Sequence, residues 1–342
     1  PPHIDILADW LEEAAEDELR AERLLALGRA WIGQDGWEEA QGALRDAAEA
    51  QPASVSIHLE RARVARHLSD LDAARVALAT AHDLLPETDR EVRADVSLER
   101  SRVEEELGGD RALARRYARQ AAEETQQADR RAQALRRASA LASELEDRGQ
   151  EEEALRALFD LGVADKGELG RLAQLCEERA AWTEALAIYE HQREKAPEDP
   201  AVRLNLARAL QATGQRQPAV KQFTAAAEGL AEAGERVEAS AALYQAAELI
   251  LKQDEAGAAE SAQELLQRAV GHDPRNDDAF ALAARLCRQA DAHEALLEVW
   301  GHRLPALDAV AQQAAYKEMA QVAHDGLGAP DRAATPARAP PP

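Results

Sequence analysis

An alanine-centred pattern that recurs about every 34 residues constrains this 342-residue chain more than any other feature. Leucines stand thirteen and nine residues before Ala219, and Phe223 stands four after it. Seven other alanines have similar surroundings, weakest around Ala114 and Ala262. The successive spacings are 34, 40, 40, 31, 34, 43 and 33 residues, which predicts a stack of similar units. The eight centres are Ala40, Ala74, Ala114, Ala154, Ala185, Ala219, Ala262 and Ala295.

Each copy of the pattern indicates two short helices joined by a turn. Leu206 and Leu210 are four residues apart in the first half, and Ala219 and Phe223 are four apart in the second. Such steps place apolar side chains on one face of a helix. Gly214 lies between the two halves and marks the turn. One pair of helices cannot bury its own apolar face, so neighbouring pairs are expected to stack.

Alanine, glycine and proline occur at fixed places in the pattern. Alanine at the centre is expected where the two helices cross most closely, because a larger side chain would hold them apart. Gly214 or Gly149 suits the end of a first helix. Prolines suit the exit from a second helix, since proline limits its continuation. These prolines are Pro52, Pro86, Pro197 and Pro274.

The pattern resembles the tetratricopeptide repeat, whose signature is W-x2-L-G-x2-Y, then A-x3-F, then P. The resemblance covers about residues 21–304. The chain is similar to long bacterial arrays of this repeat that are rich in Ala, Arg and Glu. It implies an all-α fold, a right-handed superhelical solenoid of antiparallel helix pairs with about eight to nine repeats. The first copy meets the signature with Leu24, Leu27, Gly28, Trp31, Ala40, Leu44 and Pro52.

The ends and two interior copies depart from the repeat. Residues 1–20 predict an amphipathic lead-in helix, residues 305–328 the first half of a further repeat, and residues 329–342 a Pro/Ala-rich linker or tail. In the third repeat, Arg102 and Glu105 occupy positions where apolar residues belong. Spacings of 40 and 43 residues require longer helices or loops, so we expect irregular geometry in the third and seventh repeats.

Composition narrows the class of partner. The formal net charge of −23 repels phosphate backbones and anionic membrane surfaces, so we expect protein partners, no nucleic acid and no membrane insertion, with self-association open. No apolar run reaches the about 18 to 20 residues that a membrane span requires. Two cysteines give no disulfide framework and favour a reducing, cytoplasmic location. The chain begins at Pro1, so a removed leader or a longer parent chain stays open.

Motifs for chemistry are incomplete. His293-Glu294 begins like a zinc-protease motif, but Leu297 stands where the second histidine ligand belongs. The glycines from Gly162 to Gly167 are spaced like a phosphate loop, but Glu168 replaces the lysine that would neutralise phosphate. We therefore predict that the chain is not an enzyme and has no cofactor, metal or catalytic residues.

A cluster of arginines is the sharpest charge feature. Residues 111–137 contain eight arginines and three acids, a local balance of +5. One interpretation is a docking patch for an acidic partner, and an acidic stretch of a second copy of this chain is one such partner. The alternative, which we favour, is a solvated face whose arginines pair with neighbouring repeats. The candidate partner-binding residues are Arg111, Arg115, Arg119, Arg136 and Arg137.

The resemblance also implies a groove lined by the first helix of each repeat. Its groove-facing positions fall on Arg171, Gln174, Asn205 and Arg208, which we take as further candidate partner-binding residues. Some grooves of the family clamp a peptide carboxylate with Lys and Asn. Gly170 and Gln174 stand at two of those positions, so the clamp is incomplete here.

Two functions remain open from the sequence. The first is a scaffold that binds a protein segment in a tetratricopeptide groove and has no chemistry of its own. The second is a non-catalytic regulatory or self-association arm of a larger multidomain protein. A third interpretation, nucleic-acid binding through the arginine cluster, would require salt-sensitive retention on heparin.

Overall fold

Successive α-helices account for the fold in a computed structural model, which describes Ile4 and residues 17–253 and 257–327. No strand occurs within these residues, and none of their helices combines the length and apolarity that crossing a bilayer requires. The helices are α1 Asp17–Ile32, α2 Trp37–Ala50, α3 Val55–His67, α4 Leu71–Leu84, α5 Arg90–Glu106, α6 Arg111–Glu124, α7 Ala128–Glu144, α8 Arg148–Asp160, α9 Lys166–Glu178, α10 Trp182–Lys195, α11 Pro200–Ala212, α12 Arg216–Glu232, α13 Arg236–Leu251, α14 Ala258–His272, α15 Asp277–Gln289, α16 His293–Arg303 and α17 Ala309–Leu327, with a 3-10 turn at Leu304–Ala306.

The chain divides into two compact units, residues 1–169 and residues 170–342. Within each unit, helices that follow one another along the chain pack together, and the short turns between them make neighbours antiparallel. The first unit holds α1 to α8, and the second holds α10 to α17. Most of the predicted lead-in helix and the predicted tail lie outside the described residues.

The helix pairs follow the alanine-centred repeats. Each of the eight alanine centres lies in the second helix of a pair, from α1/α2 to α15/α16, and α17 lies in the segment predicted to begin a further pair. The 40-residue spacings coincide with long first helices, since α5 and α7 have 17 residues whereas α3 and α11 have 13. The four exit prolines each lie two residues beyond the last residue of a second helix.

Alanine packs at the centre of seven repeats. These seven alanines are buried, and six of them have no exposed surface. In the eighth repeat Ala295 is partly exposed, and the adjacent Leu296 and Val299 supply the buried surface of α16. The packing of the last described pair is therefore shifted relative to the others.

Left-handed residues end most of the first helices. Gly108 and Gly214 have φ of 63° and 81°. The next backbone N–H reaches back to the helix, as Gln215 N does to Leu210 O at 2.8 Å, in the pattern of a Schellman cap. Gly149 instead lies inside α8, and Glu146 takes the left-handed position in that turn. Non-glycine residues with positive φ are Asp35, Ser69, Glu146, Ala180 and Asp291.

Gly28 allows α1 and α2 to approach closely. A Cβ at this position would lie 2.8 Å from Leu44 Cγ, and Leu44 is fully buried. We expect Gly28→Ala to destabilise the fold by about 1–3 kcal/mol, because steric crowding outweighs the gain in helix propensity of about 1 kcal/mol. Urea unfolding measures the change. Gly42→Ala in α2 is the control, since nothing lies within 4 Å of its Cβ, and it should be neutral or stabilising. Equal effects of both changes would contradict the close-approach explanation.

Ala180 is an alanine in a left-handed turn, with φ of 60° and an exposed side chain. We expect Ala180→Gly to stabilise the protein by about 1 kcal/mol, because the left-handed conformation strains residues that carry a Cβ. Ala241→Gly, at an exposed position inside α13, should cost about 1 kcal/mol instead. Thermal midpoints of the two variants that shift in the same direction would show that the turn is not strained.

Candidate interaction site

Helix α5 carries a stripe of valines and glutamates. Val92, Val96, Glu99, Val103 and Glu106 follow one another at steps of four, three, four and three residues, so they align along one face. Val96 and Val103 are buried at its base, whereas Val92 is 40% exposed. The stripe therefore combines a buried apolar base with an accessible edge.

Polar residues occupy another face of α5. Ser97, Ser101 and Glu104 are buried, although first helices of regular repeats place mostly leucine or alanine inside. Ser97 Oγ donates a hydrogen bond to Glu124 at 3.0 Å, and Arg137 Nε donates one to Ser101 Oγ at 2.8 Å. Polar contacts with α6 and α7 thus replace part of the apolar packing of the third repeat.

A groove of about 820 Å³ lies between α3 and α5, the first helices of the second and third repeats. Its floor is continuous with the core, since Ala62, Leu78, Val96 and Val103 belong to one buried cluster. At one wall the rings of Trp37 and His67 stack with centroids 3.6 Å apart. The charged side chains that line it are Arg63, Arg66, Asp95, Glu99 and Glu106.

Arg66 spans the groove from α3 to α5. Its Nη1 lies 2.9 Å from Glu99 Oε2, and its Nε donates to Glu106 Oε2 at 3.0 Å. The Arg66 hydrogen bond holds the pKa of Glu106 below its ordinary value, and the same contact raises the pKa of Arg66. Arg102 also pairs with Glu99, so these two glutamates of the groove contact two arginines.

The arginines of the predicted basic patch form ion pairs with acids of the first unit. Each of its five arginines forms an ion pair, and in every case one partner lies about one repeat away along the chain. Arg115 also holds the pKa of Asp147 below its ordinary value through a hydrogen bond. The pairs are Arg111 with Glu144 at 3.1 Å, Arg115 with Asp147 at 2.5 Å, Arg119 with Glu153 at 3.0 Å, Arg136 with Glu168 at 2.7 Å, and Arg137 with Glu105.

The groove-facing residues predicted in the second unit lie on α9 and α11. Arg171 donates a hydrogen bond to Gln174 at 3.2 Å, and Gln174 donates one to Glu178 at 3.3 Å. Asn205 is partly exposed and Arg208 is exposed on α11. These four candidates therefore form two short surface groups on neighbouring first helices of the repeats.

The groove between α3 and α5 was missed by sequence reasoning. Its signal was present, because Arg102 and Glu105 already marked the third repeat as irregular. In the structure Arg102 pairs with Glu99 on the same helix, and Glu105 pairs with Arg137 on α7. The apolar residues of α5 that line the groove are instead Val92, Val96 and Val103.

No protein-family model and no curated protein matches this chain. Solved structures with a similar arrangement include the TPR2AB-domain:pHSP90 complex of yeast Sti1, with 19% identity, a TM-score of 0.41 and coverage of 82% of this chain and 98% of that one. A tetratricopeptide repeat protein from Parabacteroides merdae has 15% identity, a TM-score of 0.38 and coverage of 78% and 98%. YrrB, described as a TPR protein with an unusual peptide-binding site, has 16% identity, a TM-score of 0.37 and coverage of 70% and 96%.

The fold of this chain is assigned from its own succession of helix pairs. Eight alanine-centred pairs follow one another at the predicted positions, and prolines follow four of the second helices. All described secondary structure is helical. The chain therefore resembles the tetratricopeptide-repeat family in its sequence period and in its succession of helix pairs.

Proposed function

We propose that this chain is a protein-interaction scaffold that binds a segment of another protein in the groove between α3 and α5. The observation that carries the proposal is an open apolar groove of about 820 Å³ whose edge exposes Val92 to solvent. Exposed apolar surface rimmed by charged groups is typical of interaction sites. The scaffold needs no chemistry of its own.

The length of the groove favours a polypeptide segment. Val92 and Glu106 both line it and are fourteen residues apart on one helix, a distance of about 21 Å at 1.5 Å per residue. Several side chains of a bound segment fit along that distance. The charged groups at the rim set orientation and specificity, as they do in peptide-binding grooves.

A self-association or regulatory arm of a larger protein is the alternative, and α17 favours it. Val310 and Tyr316 on this helix are 79% and 41% exposed. If α17 mediates self-association, sedimentation velocity should show an oligomer that dissociates in a Val310→Glu, Tyr316→Lys variant. A monomer at every concentration tested would exclude self-association through this helix.

A photo-crosslinking amino acid at Val92 tests the groove directly. We expect it to form an adduct with one protein in extract of the source cell, because the groove edge contacts the bound segment. The control position is Val76 on α4, which is 62% exposed in the same unit and does not line the groove. Mass spectrometry then identifies the crosslinked segment.

The recovered segment is next bound to the purified chain. We expect Val92→Glu to weaken binding by about tenfold or more, a loss of about 1.4 kcal/mol, whereas Val76→Glu should leave the affinity unchanged. Equal crosslinking at both positions, or equal affinities of the two variants, would overturn the proposal.

A further inference from the structure

Resting on the function proposed above, we propose that Arg66 is a strap that closes the half of the α3/α5 groove around Val103, and that ionic strength controls its opening. The half around Val92 remains open. A partner therefore has free access to one half of the groove, and it reaches the other half only when the contacts of Arg66 with α5 break.

The contacts of Arg66 define the closed half. Arg66 lies in the last turn of α3, and its guanidinium contacts both Glu99 and Glu106 on α5. These glutamates are seven residues apart, which is about two helical turns or about 10 Å. Val103 lies between them on the same stripe and is 1% exposed, whereas Val92 lies beyond the bridge and is 40% exposed. The guanidinium therefore crosses the groove over the turns of α5 that carry Val103.

The strap has more contacts than a single surface ion pair. Nε and Nη2 of Arg66 donate to the two oxygens of Glu106, with the Nε bond at 3.0 Å, and Nη1 donates to Glu99 at 2.9 Å. Such a planar fork holds a carboxylate in one orientation. The hydrogen bond from Arg66 also holds the pKa of Glu106 below its ordinary value, so this carboxylate stays ionised at neutral pH. Salt, which screens partly exposed charges, is therefore the variable that weakens the strap near neutral pH.

The two glutamates keep other cationic neighbours when Arg66 leaves. Arg102 pairs with Glu99 from the same helix. After the hydrogen bond from Arg66, the charges of Arg137 and Arg102 also hold down the pKa of Glu106. Opening thus leaves neither carboxylate without a nearby positive charge, and the guanidinium of Arg66 moves into water. Both effects lower the free energy of the open state, as a reversible strap requires.

The test measures how fast iodoacetamide, a small uncharged reagent, alkylates a cysteine placed under the strap. Val103→Cys carries this probe, and Val96→Cys is the same change on the groove floor outside the bridge, since the two valines are 1% and 2% exposed. Native Cys176 and Cys287 are buried and serve as internal references. Mass spectrometry of the digested protein gives the rate at each position.

Each probe is combined with Arg66→Met, which keeps an unbranched side chain and removes its charge. The matched control is Arg29→Met, because Arg29 on α1 bridges to Glu60 on α3 at 2.8 Å and neither residue lines the groove. We expect Arg66→Met to speed alkylation at position 103 by about fivefold or more, the factor that about 1 kcal/mol of closing free energy gives. Position 96 should keep its rate, and Arg29→Met should leave both rates unchanged. Thermal midpoints confirm that each variant is folded.

Salt provides a second measurement with Arg66 in place. Raising NaCl from about 0.1 M to about 1 M shortens the screening length from about 10 Å to about 3 Å. This should speed alkylation at position 103 when Arg66 is present and have little effect in Arg66→Met. Equal rates at position 103 with Arg66 and with methionine would overturn the strap. Equal acceleration at positions 96 and 103, or at the native cysteines, would show general loosening and overturn it as well.

The strap and the proposed function fail separately, because alkylation involves no partner. If position 103 reacts equally with and without Arg66, the strap is wrong, while crosslinking at Val92 still identifies the partner of the groove. If the strap opens as expected and Val92 forms no specific adduct, the scaffold function is wrong and the alkylation result is unaffected.

Discussion

The close approach of two helices at a small buried residue is the contact on which this structure depends. Seven of the eight repeats place an alanine at that contact, and Gly28 lets Leu44 pack directly against the backbone of α1. Small residues at a crossing allow short interaxial distances, and the remaining apolar side chains then fill the space on either side. This explains how a chain with only 4% aromatic residues buries apolar side chains between its helices.

Polar bridges between repeats supplement the apolar core. The arginines of residues 111–137 do not form an unpaired cationic surface, because acids one repeat away contact them. Arg29 with Glu60 and Arg93 with Glu124 repeat this arrangement elsewhere in the first unit. Individually, exposed pairs of this kind contribute about 0–1 kcal/mol, but guanidinium groups with several contacts also fix the register between neighbouring pairs. In a chain of net charge −23, such bridges also limit repulsion among the acids.

The third repeat departs from the rules that the others follow, and the candidate site lies there. Ser97, Ser101 and Glu104 occupy buried positions of α5, while its valines line the groove. Polar groups in the interior are costly unless they are hydrogen-bonded, and both serines are. Places where a sequence breaks the pattern of its own fold are often functional, which agrees with an interaction site at this joint.

The sequence by itself determined the period, the helical class, the alanine centres and the exit prolines, because each depends on residues close together along the chain. The tertiary structure decided which arginines pair, since Arg115 and Asp147 are a full repeat apart. It also decided the turns, where Glu146 rather than Gly149 adopts the left-handed conformation. The groove required the structure as well, because its walls are formed by two helices that are not consecutive and its floor by the core between them. Contacts of this kind depend on how pairs stack, which local periodicity does not specify.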